Sequence, residues 1–305
     1  MELTRLFSLI IFALLTKLCV SESSLNENND PLSQKSGSKL PAYVNQYTHI
    51  SETFTKPIYY FNNRVTITSC KFLNSFSSDM EEGDVGGAIF LSSCISKINN
   101  SLFDNCAASQ GGAIFVETTT ITIQETNFTN NQALEAGGAV VLYQCPGFKI
   151  TGGFSMYNEA MYHGCFDVHE SNGTIESHNF ISNEARVDCA CISVYESQVT
   201  LLKCYFIENE AELYPAALQV EEGDGILETS CIVKNCYFIR NFANGGEDQI
   251  SVHLSGNITG SFVDCVFDAE LKESILELKS PHFTFERNRV SPNIKNPFEP
   301  LVRGR

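Results

Sequence analysis

One short motif returns along this chain at a nearly fixed interval. Gly-Gly-Ala followed by a β-branched residue occurs as Gly86-Gly87-Ala88-Ile89, Gly111-Gly112-Ala113-Ile114 and Gly137-Gly138-Ala139-Val140. The second glycines fall at Gly87, Gly112 and Gly138, in steps of 25 and 26. Further steps of 26 reach Gly164 in His163-Gly164-Cys165-Phe166, Ala190 in Cys189-Ala190-Cys191-Ile192, and Pro215-Ala216-Ala217-Leu218. These are degenerate copies in which small residues precede an apolar run. A fixed period of this length means that each unit buries its apolar face against its neighbours, so the chain must stack as a solenoid.

A second motif follows the first: an apolar residue, four residues, then Phe. It occurs at Ile67/Phe72, Ile98/Phe103, Ile123/Phe128, Ile175/Phe180, Leu201/Phe206, Val233/Phe238 and Phe262/Phe267. Phe154 fills the remaining gap, one residue out of step, so that Phe128, Phe154, Phe180 and Phe206 are 26 apart each time. Asn stands three residues later at Asn131, Asn183, Asn209, Asn241 and, after Phe285, Asn288. The longer steps from Phe72 to Phe103 and from Phe206 to Phe238 coincide with acidic inserts, Met80-Glu81-Glu82-Gly83-Asp84 and Glu221-Glu222-Gly223-Asp224-Gly225.

The apolar runs alternate, are rich in β-branched and aromatic residues, and are broken by Gly, Asn and Ser, as in Val65-Thr66-Ile67 and Ile121-Thr122-Ile123. That is strand patterning, not helical patterning. The expected fold is all-β: a right-handed parallel β-helix of eight or nine coils of about 26 residues between Ile50 and Asn288, with two or three short strands per coil. Each strand pairs with its copies ~4.8 Å above and below, so the core would be about 40 Å long. Phe72, Phe103, Phe128, Phe154, Phe180, Phe206, Phe238 and Phe267 are expected to form an interior column. Stacked Asn amides would line a bend and glycine would turn a corner. Alternation then points Asn99, Asn127 and Asn257, beside inward residues, to the outside.

The pairing of Gly-Gly-Ala-[Ile/Val] with Phe-x-x-Asn resembles the repeats of polymorphic outer-membrane proteins, which are bacterial surface adhesins echoed in secreted protist proteins. The likeness spans roughly Val65 to Asn288. It implies a right-handed parallel β-helix with adhesive or structural work. Those proteins carry a C-terminal membrane β-barrel, which is not seen in this sequence.

Several features point to export. Leu6 to Leu15 is an apolar run of signal-peptide length behind Arg5, with cleavage expected after Ser21. The chain then divides into a signal peptide (1–21), a polar linker (22–42), the β-helix (43–290) and a C-terminal tail (291–305). Tyr43 to Phe61 would cap the first coil. Asn99, Asn127, Asn172 and Asn257 begin N-glycosylation sequons. Twelve cysteines also suit an exported protein, and eleven would remain after cleavage. Cys70, Cys204, Cys236 and Cys265 each precede a motif Phe by two residues, and the last three should stack. A disulfide or a column of small buried thiols would each satisfy that placement. His163 with Cys189, and Cys165 with Cys191, are 26 apart. A Cys165–Cys191 bridge is expected there, with zinc on His163, Cys165, Cys189 and Cys191 as the weaker alternative.

Formal net charge is −16, and no basic footprint marks a nucleic-acid ligand. No cofactor motif occurs, and no second apolar run suggests membrane insertion of the mature chain. Hydrolysis needs two placed carboxylates, and Asp84, Asp224 and their neighbouring glutamates lie in different coils. The Asn-Thr-Asp, Asp-Asp, Gly-His-Gly and Arg-Ile-Lys signatures of pectin hydrolases are absent, with His163-Gly164 the nearest fragment. The expected role is a non-catalytic secreted or surface scaffold for adhesion to a protein or glycan. A polysaccharide lyase or hydrolase is the alternative.

Overall fold

The computed structural model describes residues 45–77, 84–213, 215–223, 228–244, 250–278 and 281–298. The expected signal peptide and linker, most of the first acidic insert and the last two residues of the second lie outside them.

The chain winds as a parallel β-helix in which each coil contributes one strand to each of several walls. Wall 1 has ten strands, from Gln46–Ile50 through Thr120–Gln124 to His282–Glu286. Wall 2 has ten, from Thr53–Phe54 through Asn127–Thr129 to Arg289–Val290. Wall 4 has nine, from Ile58–Phe61 through Val140–Tyr143 to Ile275–Leu278. Between walls 2 and 4, six coils add a short wall 3, from Ala107–Gln110 to Phe242–Ala243. Middle coils therefore carry four strands, where two or three were expected. Ten strands in wall 1 mean nine steps along the axis. The only helix among the described residues is a single turn, Leu271–Ser274.

Alternation fills the interior. In wall 1, Val65 and Ile67 are buried and pair in register with Ser96 and Ile98 of the next coil. Wall 2 supplies a stacked column, with ring centroids 4.6 Å apart for Phe72–Phe103, 5.1 Å for Phe103–Phe128, 5.1 Å for Phe180–Phe206, 4.8 Å for Phe206–Phe238 and 4.7 Å for Phe238–Phe267. Wall 3 contributes a buried column of alanines: Ala108, Ala133, Ala160, Ala185, Ala211 and Ala243.

Phe154 is the exception to the expected column. Ser155, not Phe154, pairs with Phe128 and Phe180, and Phe154 is half-exposed. The cause is an extra residue, Pro146, in the preceding corner. Ile123 pairs with Ile150, one position later than the common period, and Ile150 pairs with Ile175, one position earlier. A gain and a loss cancel over two coils, so the common period is right at Phe128 and Phe180 and wrong between them. Two neighbours fill the gap above Ser155. Phe166 takes a wall 4 position held elsewhere by Ile, Val or Leu, and packs edge-on to Phe128 at 5.9 Å and Phe180 at 5.1 Å. His178 accepts a hydrogen bond from Ser155 Oγ through Nε2 (2.8 Å) and donates Nδ1–H to the Gly152 carbonyl (2.7 Å).

The corners are turned by single residues with positive φ, and most are not glycine. Asn100 (46°), Glu125 (45°) and Ser177 (56°) follow wall 1; Asn105 (54°) and Asn130 (55°) follow wall 2. Glycine is required where backbones close in. A Cβ at Gly138 would run into the carbonyl oxygen of Gly164 one coil on. Just past each corner sits a buried polar column. After wall 2, Asn131, Asn158, Asn183, Asn209 and Asn241 hydrogen-bond Nδ2 to Oδ1 from coil to coil at 2.8, 2.9, 3.0 and 2.8 Å. Each Nδ2 also donates to a carbonyl one coil back, as Asn183 does to Ser155 (3.1 Å). Asn158 completes this ladder where sequence spacing left it out. Asn288 does not belong to it, because Phe285 pairs with Phe262 in wall 1, and Asn288 caps Cys265 across a different corner.

Candidate functional site on the outer face of wall 4

The last residue of each wall 4 strand points outward. In register these are Glu117, Tyr143, His169, Tyr195 and Glu221, with the same increment in residue number at every step. The period that stacks the core therefore also aligns a surface row. The rings form a continuous ledge, with Tyr143 to His169 at 5.2 Å and His169 to Tyr195 at 4.7 Å, both edge-on. The next residues turn the corner and add Gln144, Glu170 and Glu196. The central outward row of the wall holds Asp167, Ser193, Gln219 and His253.

The nine strands of this face carry carboxylates but no Lys or Arg, whereas wall 1 carries Arg64, Lys97, Lys149 and Lys234. Three histidines meet carboxylates: His163 Nδ1 to Asp167 at 3.2 Å, His169 Nε2 to Glu170 at 3.8 Å, and His253 Nδ1 to Glu221 at 3.7 Å. Gln144 Nε2 donates to Glu170 (2.9 Å). Burial, followed by the fields of Glu170, Glu117 and Glu196, pushes the Tyr143 phenol up to about 12. Burial opposes ionisation of Asp167, but His163 and then His169 outweigh it and hold that carboxyl below its ordinary range. Gln219 is 2% exposed, and its Oε1 has no hydrogen-bond donor.

Residues singled out by the sequence fall elsewhere. Cys165 and Cys191 stack at the inward corner position that Ala139 and Ala217 occupy in neighbouring coils. His163 turns outward to Asp167, away from the thiols, and no group of three His, Cys, Asp or Glu side chains among the described residues is arranged to hold a metal ion. In this arrangement the outward His163 ring does not share a centre with the inward thiols of Cys165 and Cys191.

The expected bridges are not formed in this structure. Cys165, Cys191, Cys204, Cys236 and Cys265 are buried free thiols, like the other six described cysteines. The three that stack point at carbonyls one coil back: Cys204 to Ile175 (3.6 Å), Cys236 to Leu201 (3.7 Å) and Cys265 to Val233 (3.5 Å). Ser171 and Ser197 do the same with hydroxyls at another corner. Burial pushes the thiols of Cys165, Cys189 and Cys191 upward and that of Cys145 to about 11, so these groups are poor nucleophiles. Of the sequon residues, Asn172 and Asn257 are exposed, and Asn99 and Asn127 half-buried.

This architecture defines a class. Residues 112–290 match the family described as right handed beta helix region, and the chain belongs to it. Among solved structures it is similar to PfbA, a surface adhesin of Streptococcus pneumoniae, at 10% identity over 84% of this chain and 89% of that chain, with a TM-score of 0.26. No curated protein matches. No helix among the described residues is long and apolar enough to cross a membrane.

Proposed function

We propose that this chain is a secreted or cell-surface β-helix scaffold that binds an extended ligand along wall 4 without catalysing a reaction. One observation carries the reading: polar and aromatic side chains stand in register over five consecutive coils, from Glu117 to Glu221. A row at a constant ~4.8 Å rise suits a linear ligand better than a small molecule. The direction of the Asp167 shift opposes a role as proton donor, which needs a raised value. The repeat's resemblance to polymorphic outer-membrane proteins supports a surface setting.

A glycan hydrolase or lyase is the second reading, and one observation favours it. Glu159, Glu184 and Glu210 pair in register along wall 3, and burial with the two flanking glutamates raises the Glu184 carboxyl. A carboxyl with a raised pKa beside another carboxylate is what glycoside hydrolysis uses. The full chain on glycan and peptide arrays, beside Tyr143→Ala/Tyr195→Ala, separates the readings. Capture that the double substitution abolishes, with no polymer turnover, is expected. Turnover that Glu184→Gln abolishes would overturn the scaffold reading.

A further inference from the structure

We infer that wall 1 presents a second binding face, separate from wall 4, that takes an extended acidic glycan, with Lys97 and Lys149 each meeting one of its sulfate or carboxylate groups. This face is additional to the wall 4 reading above and stands without it.

Charge on wall 1 runs against the trend of the chain. Acids outnumber bases by 36 to 20 overall, yet the first five strands of wall 1, from Gln46–Ile50 to Gly147–Thr151, contain no Asp or Glu. Lys97 and Lys149 stand exposed on two of these strands. Neither meets a carboxylate among the described residues. Their placement is regular. Thr122 pairs with Lys97 on one side and Lys149 on the other, and Thr66 and Thr174 continue the row, so threonine and lysine alternate over five consecutive coils. The two lysines are two coils apart, about 9.6 Å at the usual strand spacing. Threonine suits a strand and lysine does not, so the fold alone does not account for the cations.

The surface fits a glycan better than a peptide. Every strand of wall 1 except the two terminal ones is paired on both sides, so no edge along the wall is open to an added peptide strand. Thr66, Thr122 and Thr174 are half-buried beside the lysines, and a hydroxyl both donates to and accepts from a sugar hydroxyl. An ammonium against a sulfate or carboxylate adds a charge-assisted hydrogen bond. A polymer with an anion on alternate units and hydroxyls between them matches that row. The net charge of −16 opposes a polyanion at a distance, but at physiological salt exposed charges act over about 8 Å. Two acids bound the face: Glu125 stands past its corner, and Glu176 on the next strand meets Lys203 at 3.2 Å.

The full chain is titrated by calorimetry with dextran sulfate, polygalacturonate, unmodified dextran and an oligoglutamate. Both acidic glycans are expected to bind, the tighter one naming the preferred anion, and to weaken at about 0.5 M salt; unmodified dextran is expected not to bind. Lys97→Gln/Lys149→Gln should lower affinity by about tenfold. Lys71→Gln/Lys272→Gln, an equal change in charge away from wall 1, should lower it by less than about twofold. Tyr143→Ala/Tyr195→Ala should leave it unchanged. Equal losses from the two lysine pairs would reduce the effect to net charge and overturn the inference. Loss of binding in the tyrosine pair would move the ligand to wall 4 and overturn the second face. Oligoglutamate binding as tightly as the glycans, and lost with Lys97 and Lys149, would keep a cationic face and overturn the glycan. Asn99 lies two residues after Lys97 on the same face and begins a sequon. The mass of its peptide from the secreted chain is expected to show no glycan, and a glycan on every copy would cover the row and overturn the inference.

Discussion

Ser155 and Phe166 show how a single position is set by its neighbours. A column of phenylalanines from Phe72 to Phe267 is interrupted by a serine, and the missing ring is replaced from another wall. Phe166→Val should open a cavity and cost about 3 kcal/mol. Ser155→Phe should overpack against Phe166 and His178 and cost about 1–3 kcal/mol. The double substitution should recover most of both losses, because it rebuilds the column used in other coils. Denaturant melts of the four proteins measure this coupling, and additive losses would contradict it. His178 adds a pH signature. Burial lowers its pKa to about 4. Above about pH 6.5 it is neutral folded and unfolded, and contributes nothing. Between about 6.5 and 4 the unfolded chain takes up a proton that the folded chain refuses, so the fold loses about 3 kcal/mol by the lower limit. His178→Cys, which installs the residue that Cys204 provides two positions before Phe206, should flatten the melting temperature across that window. An unchanged acid slope would refute the assignment.

At the scale of an element, the corner columns hold the coils in register. Each Asn in the ladder satisfies donors and a carbonyl on the coil before it, all away from water. Asn183→Ala would strand the backbone N–H and the side-chain amide of Asn158, so a loss of more than about 2 kcal/mol is expected. Asn288→Ala, outside the ladder at a different corner, should cost less. Chemical denaturation of both variants checks the ranking, and equal losses would remove the ladder from the account. The thiol columns allow a sharper comparison. If Cys236 acts as a donor to the Leu201 carbonyl, Cys236→Ser should be tolerated better than Cys236→Val, although valine is the better hydrophobe. Much of this was legible in advance. The interior phenylalanines, the Gly-Gly-Ala corners and four of the five ladder asparagines follow from spacing alone. Asn158 was hidden because its coil lacks the Phe that marks the others. The clue that recovers it is Asn-Glu-Ala, which recurs at Asn158, Asn183 and Asn209 and places an amide, an outward carboxylate and the wall 3 alanine together.

The whole molecule is a stack whose period serves two ends. Inward residues repeat because the core is continuous, and outward residues of wall 4 repeat because they ride on the same strands. The ledge was not legible as a site, since its residue types change at each coil from Glu to Tyr to His to Tyr to Glu. Only the constant step of 26 from Glu117 to Glu221 unites them, and it becomes visible once the strand is known to begin at Val140 or Ile192. The His163 and Cys189 pair misled for the opposite reason: equal spacing brought them to one corner, but His163 is a corner residue with positive φ, where strand alternation does not hold, and its ring turns to Asp167. Distances between spin labels on wall 1 test the stacking most directly. Lys97 and Ile232 face outward five coils apart, and Thr66 and Ser261 seven coils apart. Bioorthogonal labels at these positions should give backbone separations of about 24 and 34 Å by pulsed electron paramagnetic resonance, in proportion to coil number. Separations near twice those values, as helical repeats packed about 10 Å apart would produce, would contradict the β-helix.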